Sequence, residues 1–262
     1  MTNTLLILAI LAWLATWLLI AARLWQPQRF PGPGPIWGLA LILHGLTLLL
    51  PGLQTHGLAI DFFSALSLVM WLASLILFFA QIKRPLASLG LLILPFTLIS
   101  LLLDALLATG RTIALNEGLG LHILLSLLAY SMLMLAALQS ILLAVQNHQL
   151  HNHQSGYLMK ALPPLQDMES LLFQLILTGV VLLTLGLISG LLSLHGLFGQ
   201  GVAHKTVLSL IAWAVFTTLL IGHWQYGWRG RIAVRWTLSG FTLLMLGFFG
   251  SKFVLEYMVH KI

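Results

Sequence analysis

Apolar residues in this chain neither alternate with polar ones nor form a narrow helical stripe. They gather in long runs that close at short clusters of polar residues, proline or glycine. Runs of this kind suit bilayer-crossing helices, since a hydrocarbon core of about 30 Å takes roughly 20 residues. The pattern predicts eight spans: Leu5–Ala22, Ile36–Leu50, Phe62–Ala80, Leu86–Ala108, Leu121–Val145, Leu171–Leu194, Lys205–Trp224 and Ile232–Tyr257. The second is short and is framed by PGPGP and by Pro51-Gly52, so sharp ends are expected there. A transmembrane β-barrel would show short alternating segments instead. The longest connection, Gln146 to Ser170, has no room for another domain, and no internal repeat is evident. The expected fold is an all-α, polytopic membrane helical bundle with eight transmembrane helices, a single domain over residues 1–262.

Composition sharpens this picture. Of 262 residues, 60% are hydrophobic and 7% charged, and the mean hydropathy is +1.02. So few charges cannot cover a water-facing surface, which excludes a soluble enzyme and a disordered chain. The net charge of +6 does not imply nucleic acid as a partner, because the cations sit at helix ends and form no stripe. They set orientation instead. With the N-terminus outside, Arg23, Arg29, Lys83, Arg84, Lys160, Arg229, Arg231 and Arg235 fall inside, against Arg111, Lys205, Lys252 and Lys261 outside. Both termini are then expected on the outer, periplasmic side of a bacterial inner membrane. The first run lacks a basic leader, and its first cation, Arg23, follows it, as in a retained span. The sequence contains no cysteine, so any metal or cofactor would be held by His, Met, carboxylate or backbone.

Ionisable groups at membrane depth are expensive and are therefore functional candidates. His122, His195 and His204 share the outer boundary, while His44 and His223 lie between mid-membrane and the inner side. His204 and His223 are about 28 Å apart along one helix and cannot share a metal centre. Neutral imidazole is a good axial ligand for haem, a flat apolar disc that suits a slot between helices. On this reading His122 is the outer ligand, with His195 or His204 opposite, and His44 with His223 forms a second pair. Lys205 and Arg111 would meet the propionates of an outer haem, and Arg229 and Arg231 those of an inner one. Asp104 is a charge partner for Lys252 or Arg111, or sits at the headgroups. The inner-loop trio His148, His151 and His153 reads as a polar loop, and the methionines at 132, 134, 159 and 168 as packing. Gly186 and Gly190 make a small-xxx-small step for close helix approach. GWRGR at 227–231 is a tight cationic turn: a topology anchor, or a haem-propionate or lipid-headgroup site.

The stretch LHILLSLLAYSMLMLAALQSILLAVQ (121–146) resembles the histidine-led helix of cytochrome c assembly membrane proteins of the CcsA and HemX type. HKTVLSLIAWAVFTTLLIGHWQYGWRGRIAVRWTLSGFTLLMLGFFGSKFVLE (204–256) resembles their C-terminal helix pair. The resemblance implies a protein that handles haem. By position, His122 matches the outer haem-ligand histidine and His223 the histidine near the inner end of a later helix. His260 lies about where a second outer ligand would stand. The haem-presenting relatives carry a tryptophan-rich WWD segment where this chain has only HGLFGQGVAH (195–204), which lacks Trp and Asp. A loop this short cannot form the same aromatic platform, which points away from haem delivery to apocytochrome. HemX-like relatives also lack the segment and look like accessory proteins of haem metabolism. The leading expectation is a non-enzymatic haem-handling accessory protein. Its partners would be the lipid bilayer and another membrane or haem-metabolism protein. Two alternatives stay open: a cofactor-free scaffold, and a small-solute transporter using His44, Asp104 and His223 as a proton relay.

Overall fold

The computed structural model of the chain describes residues 2–26, 32–55, 58–59, 61–82, 86–109, 112–113, 117–151, 163–193 and 203–250. Eight α-helices lie among them: α1 (Thr2–Trp25), α2 (Gly34–Thr55), α3 (Phe62–Ala80), α4 (Ala87–Leu107), α5 (Glu117–His151), α6 (Leu165–Ser193), α7 (Ala203–Tyr226) and α8 (Arg231–Met245). A π-helical turn, Leu246–Gly250, extends α8. Among the described residues, six helices are long and apolar enough to cross a membrane, and Gly34–Leu50 of α2 is a shorter apolar helix. Large aliphatic side chains stand on their outer faces, as lipid-facing residues do; Leu106 is 77% exposed and Leu192 75%.

Three local expectations need correction. The second helix does not stop before Pro51 but runs on to Thr55, because proline removes one N–H and leaves the flanking helical bonds intact. The connection expected from Gln146 to Ser170 is shorter, since α5 continues to His151 and α6 starts at Leu165. The Gln146 side-chain amide donates to the Pro163 carbonyl at 2.9 Å and so ties the ends of this connection. His148 and His151 are therefore helical, while His153 lies outside the described residues. A two-residue antiparallel pair, β1 (Leu58–Ala59) with β2 (Thr112–Ile113), joins the connection after α2 to the one after α4. The last part of the eighth span, beyond Gly250, is outside the described residues.

Two compact units divide the chain at Leu115/Asn116. In the first, α1 to α4 pack around Trp13, Trp37, Ile93 and Leu94, all essentially inaccessible. Pro95 lies inside α4 and has no N–H for the Leu91 carbonyl four residues back. The indole of Trp17, on α1, donates to that same carbonyl at 3.1 Å. An acceptor orphaned by one residue is thus satisfied from a neighbouring helix, as hydrocarbon surroundings demand. A polar seam joins α3 to α4 through Ser74 and Thr97, whose hydroxyls lie 2.7 Å apart.

In the second unit α5 and α6 run antiparallel, with small residues at the crossing. A Cβ at Gly179 would lie 2.7 Å from Leu133, and one at Gly186 3.4 Å from Ser126. The helices approach this closely because neither glycine carries a side chain. Trp213 on α7 donates to Thr184 on α6 at 2.8 Å, and Gly240 on α8 lies against the ring of Phe216.

Candidate functional site

His122 sits one turn into α5, half-buried against α6. The Gly186/Gly190 step leaves a notch there: a Cβ at Gly190 would lie 2.9 Å from His122 Cε1 and 3.1 Å from Nδ1. The imidazole fills the space a side chain would take. Its Nδ1 is 2.8 Å from the Gly186 carbonyl. A carbonyl only accepts, so Nδ1 carries the hydrogen and donates it. In the neutral ring the lone pair then belongs to Nε2. A backbone carbonyl on one ring nitrogen, fixing the tautomer and aiming the other, is the usual way a protein prepares a histidine to bind metal. Ser189 backs this arrangement by donating to the same carbonyl at 2.9 Å.

His223 repeats this logic at the opposite end of the unit. Its Nδ1 donates to the Trp228 carbonyl at 2.9 Å, which again leaves the lone pair on Nε2. Phe173 of α6 stacks on the ring at 3.5 Å between centroids. The carbonyl is available because the chain turns back after α7 through Gly227 and Gly230, at φ of 67° and 55°, a conformation that favours glycine. Trp228 folds onto Gly222, where any Cβ would collide with the indole. Glu169 accepts from the Gly230 N–H at 2.9 Å and pins the turn to α6. A cavity of about 330 Å³ opens beside His223, lined also by Glu169, Phe173, Gln174 and Arg229. His122 and His223 contact Gly186 and Phe173 of α6, 13 positions apart, or about 20 Å along the helix. One haem cannot take both as axial ligands.

His44 is held differently. It is fully buried in the first unit, where Trp13 donates to Nδ1 at 3.2 Å and Ser67 lies 3.0 Å from Nε2. An indole N–H only donates, so Nδ1 accepts and Nε2–H donates to Ser67. Both nitrogens are engaged, and three helices are clipped together. His44 belongs to the first unit and His223 to the second. Asp104 accepts from the Ser64 hydroxyl at 2.7 Å. Its expected partners, Arg111 and Lys252, lie outside the described residues, as do His195 and His260. The backbone of His204 opens α7, beside a half-buried Lys205.

Sequence reasoning passed over Asp61, which is 1% exposed. One carboxylate oxygen caps α3 by accepting from Ser64 N at 2.8 Å; the other accepts from Thr109 N at 2.7 Å. The signal was present: an aspartate directly before an apolar run is a helix N-cap. Among the described residues no group of three or more His, Asp or Glu is placed to hold a metal ion. Haem needs no such group, because the porphyrin supplies the equatorial nitrogens and the protein only axial ligands.

The family described as cytochrome C assembly protein matches residues 36–259. The inner membrane protein YpjD of Escherichia coli strain K12 is 39% identical over 171 residues, 63% of this chain. The matched stretch spans 65% of that relative's length. The cytochrome c biogenesis protein CcsA of Prochlorococcus marinus is 30% identical over 91 residues, 34% of this chain and 29% of that protein. No solved structure matches. With six helices among the described residues fit to cross a bilayer, and a family match running from α2 past α8, this chain belongs to the cytochrome C assembly protein family and is a multi-pass inner-membrane protein.

Proposed function

We propose that this protein is a haem-handling accessory of the inner membrane, not an enzyme, with His122 as an axial ligand through Nε2. The observation that carries the reading is the Nδ1–H···O=C bond to Gly186. It fixes the tautomer that bares Nε2, inside a notch that α6 leaves only by having glycines at 186 and 190. Family membership supports the haem chemistry, and a distant relative is named for cytochrome c biogenesis. When bound, haem would supply a redox-active, spectroscopically visible iron. The chain's own part is to hold one imidazole at fixed angle and exclude water with leucine-rich helices. His195 or His204 would stand opposite, and Lys205 and Arg111 at the propionates. His223 has the same bared Nε2 beside Arg229 and is the candidate ligand of a second, separate site. The short 195–204 connection favours holding or sensing haem over presenting it to apocytochrome.

A second reading, interhelical hydrogen bonding without cofactor, has a specific observation in its favour at one position only. His44 has both nitrogens engaged, so iron would have to displace Trp13 or Ser67. We assign His44 to that structural part.

The test is the absorption spectrum of protein purified from haem-replete cells. A Soret band is expected, diminished in His122→Ala and restored by added imidazole. Colourless wild-type protein, or a His122→Ala spectrum identical to wild type, would overturn the reading.

A further inference from the structure

The glycine–arginine turn separates its two arginines. Arg229 lines the cavity beside His223, whereas Arg231 lies on the other side of Gly230 and lines a different cavity of about 250 Å³ between α5 and α8. Its floor is apolar, from Leu143, Ala144 and Val234. Its polar lining is Arg231 and Arg235, one turn apart on α8, with Asn147 and His148 on α5. No carboxylate lines it. Arg231 and Arg235 are exposed, and among the described residues neither guanidinium has a hydrogen-bond or ion-pair partner. Two like charges on one face at i, i+4 repel each other, so this pair costs stability unless an anion lies between them.

The level of the cavity along the helices identifies the anion. Trp224 and Tyr226, 66% and 73% exposed, end α7 immediately before the turn. Trp228 and Trp236 pack together at 5.4 Å just beyond. Exposed aromatic rings gather at the headgroup level of a bilayer. The cavity therefore opens where phospholipid phosphates lie, with an apolar floor below a cationic mouth. Basic pockets between transmembrane helices take anionic lipid headgroups.

We infer that Arg231, Arg235, Asn147 and His148 bind the phosphate of an anionic phospholipid, with its glycerol and upper acyl carbons against Leu143, Ala144 and Val234. The site is separate from His122 and does not depend on haem.

The test is native mass spectrometry of the full chain in mild detergent, titrated with phosphatidylglycerol, phosphatidylcholine or inorganic phosphate. Wild-type protein should retain phosphatidylglycerol at least about tenfold better than phosphatidylcholine, since each cation near an anionic headgroup contributes about fivefold. The Arg231→Gln/Arg235→Gln variant should bind phosphatidylglycerol about 25-fold more weakly. Arg23→Gln/Arg84→Gln, an equal charge change in the first unit, should bind as wild type. Equal retention of the two lipids by wild-type protein overturns the inference without any variant. Unchanged phosphatidylglycerol binding in the double variant overturns it too. Displacement of the lipid by millimolar inorganic phosphate would assign the site to the free ion instead.

Discussion

Gly190→Ala isolates the contact on which the His122 site depends. In an unconstrained helix the change is favourable by about 1 kcal/mol, because alanine loses less backbone freedom than glycine. Here the added Cβ would meet His122 Cε1 at 2.9 Å and Nδ1 at 3.1 Å. The ring cannot swing aside freely, since Nδ1–H is bonded to Gly186. Moving it forfeits that bond, about 1 kcal/mol, and forcing a methyl into a filled crossing costs about 1–3 kcal/mol. Subtracting the helix gain leaves a net loss of about 1–3 kcal/mol. Gly120, two residues before His122, supplies the control, because a Cβ there meets nothing within 4 Å. Gly120→Ala should stabilise by up to about 1 kcal/mol. The assay is reversible unfolding in mixed micelles, read by far-UV circular dichroism. The two alanine substitutions should move stability in opposite directions. If Gly190→Ala were as stabilising as Gly120→Ala, the imidazole would not be wedged between α5 and α6, and its fixed tautomer would lose its basis.

Two further predictions concern the first unit. Trp17→Phe should cost about 1–2 kcal/mol by orphaning the Leu91 carbonyl in a water-poor setting. In a Pro95→Ala background the restored N–H takes that acceptor, so the cost should fall by about 1 kcal/mol in a double-mutant cycle; an unchanged cost would refute the compensation. His44→Phe removes the partners of Trp13 and Ser67 and should destabilise by about 2–4 kcal/mol. Haem retained per folded molecule should stay at the wild-type level, and a parallel loss of haem would argue for ligation.

The helices were legible in the sequence because hydrocarbon leaves the backbone little choice. Every N–H and C=O must be satisfied within the segment, so a long apolar run is a helix whatever its neighbours do. Phe62–Ala80 agrees with its expected limits at both ends. Limits were misjudged where polar residues continue a helix beyond the apolar stretch, as in Gln146 to His151, or where a proline was read as a stop at position 51. Helical hydrogen bonding does not end where hydropathy does.

The histidines mark the other boundary of what sequence decides. Residue type and depth selected His44, His122 and His223 alike, since each is an imidazole within or beside a span. Nothing in the one-dimensional pattern distinguishes a ring with both nitrogens bonded from a ring with one nitrogen bared. That difference depends on which groups reach each nitrogen: Trp13 and Ser67 of neighbouring helices for His44, the Gly186 carbonyl of α6 for His122, and for His223 the Trp228 carbonyl of the turn that follows its own helix. The sequence alone determined the membrane class, the helical nature of the apolar runs and the places of the small residues, all properties of one segment at a time. Tertiary structure alone decided which imidazole is a staple and which keeps a lone pair, and which cavity each arginine lines. The partners of His44 and His122 come from distant parts of the chain, and only packing brings them within hydrogen-bonding reach.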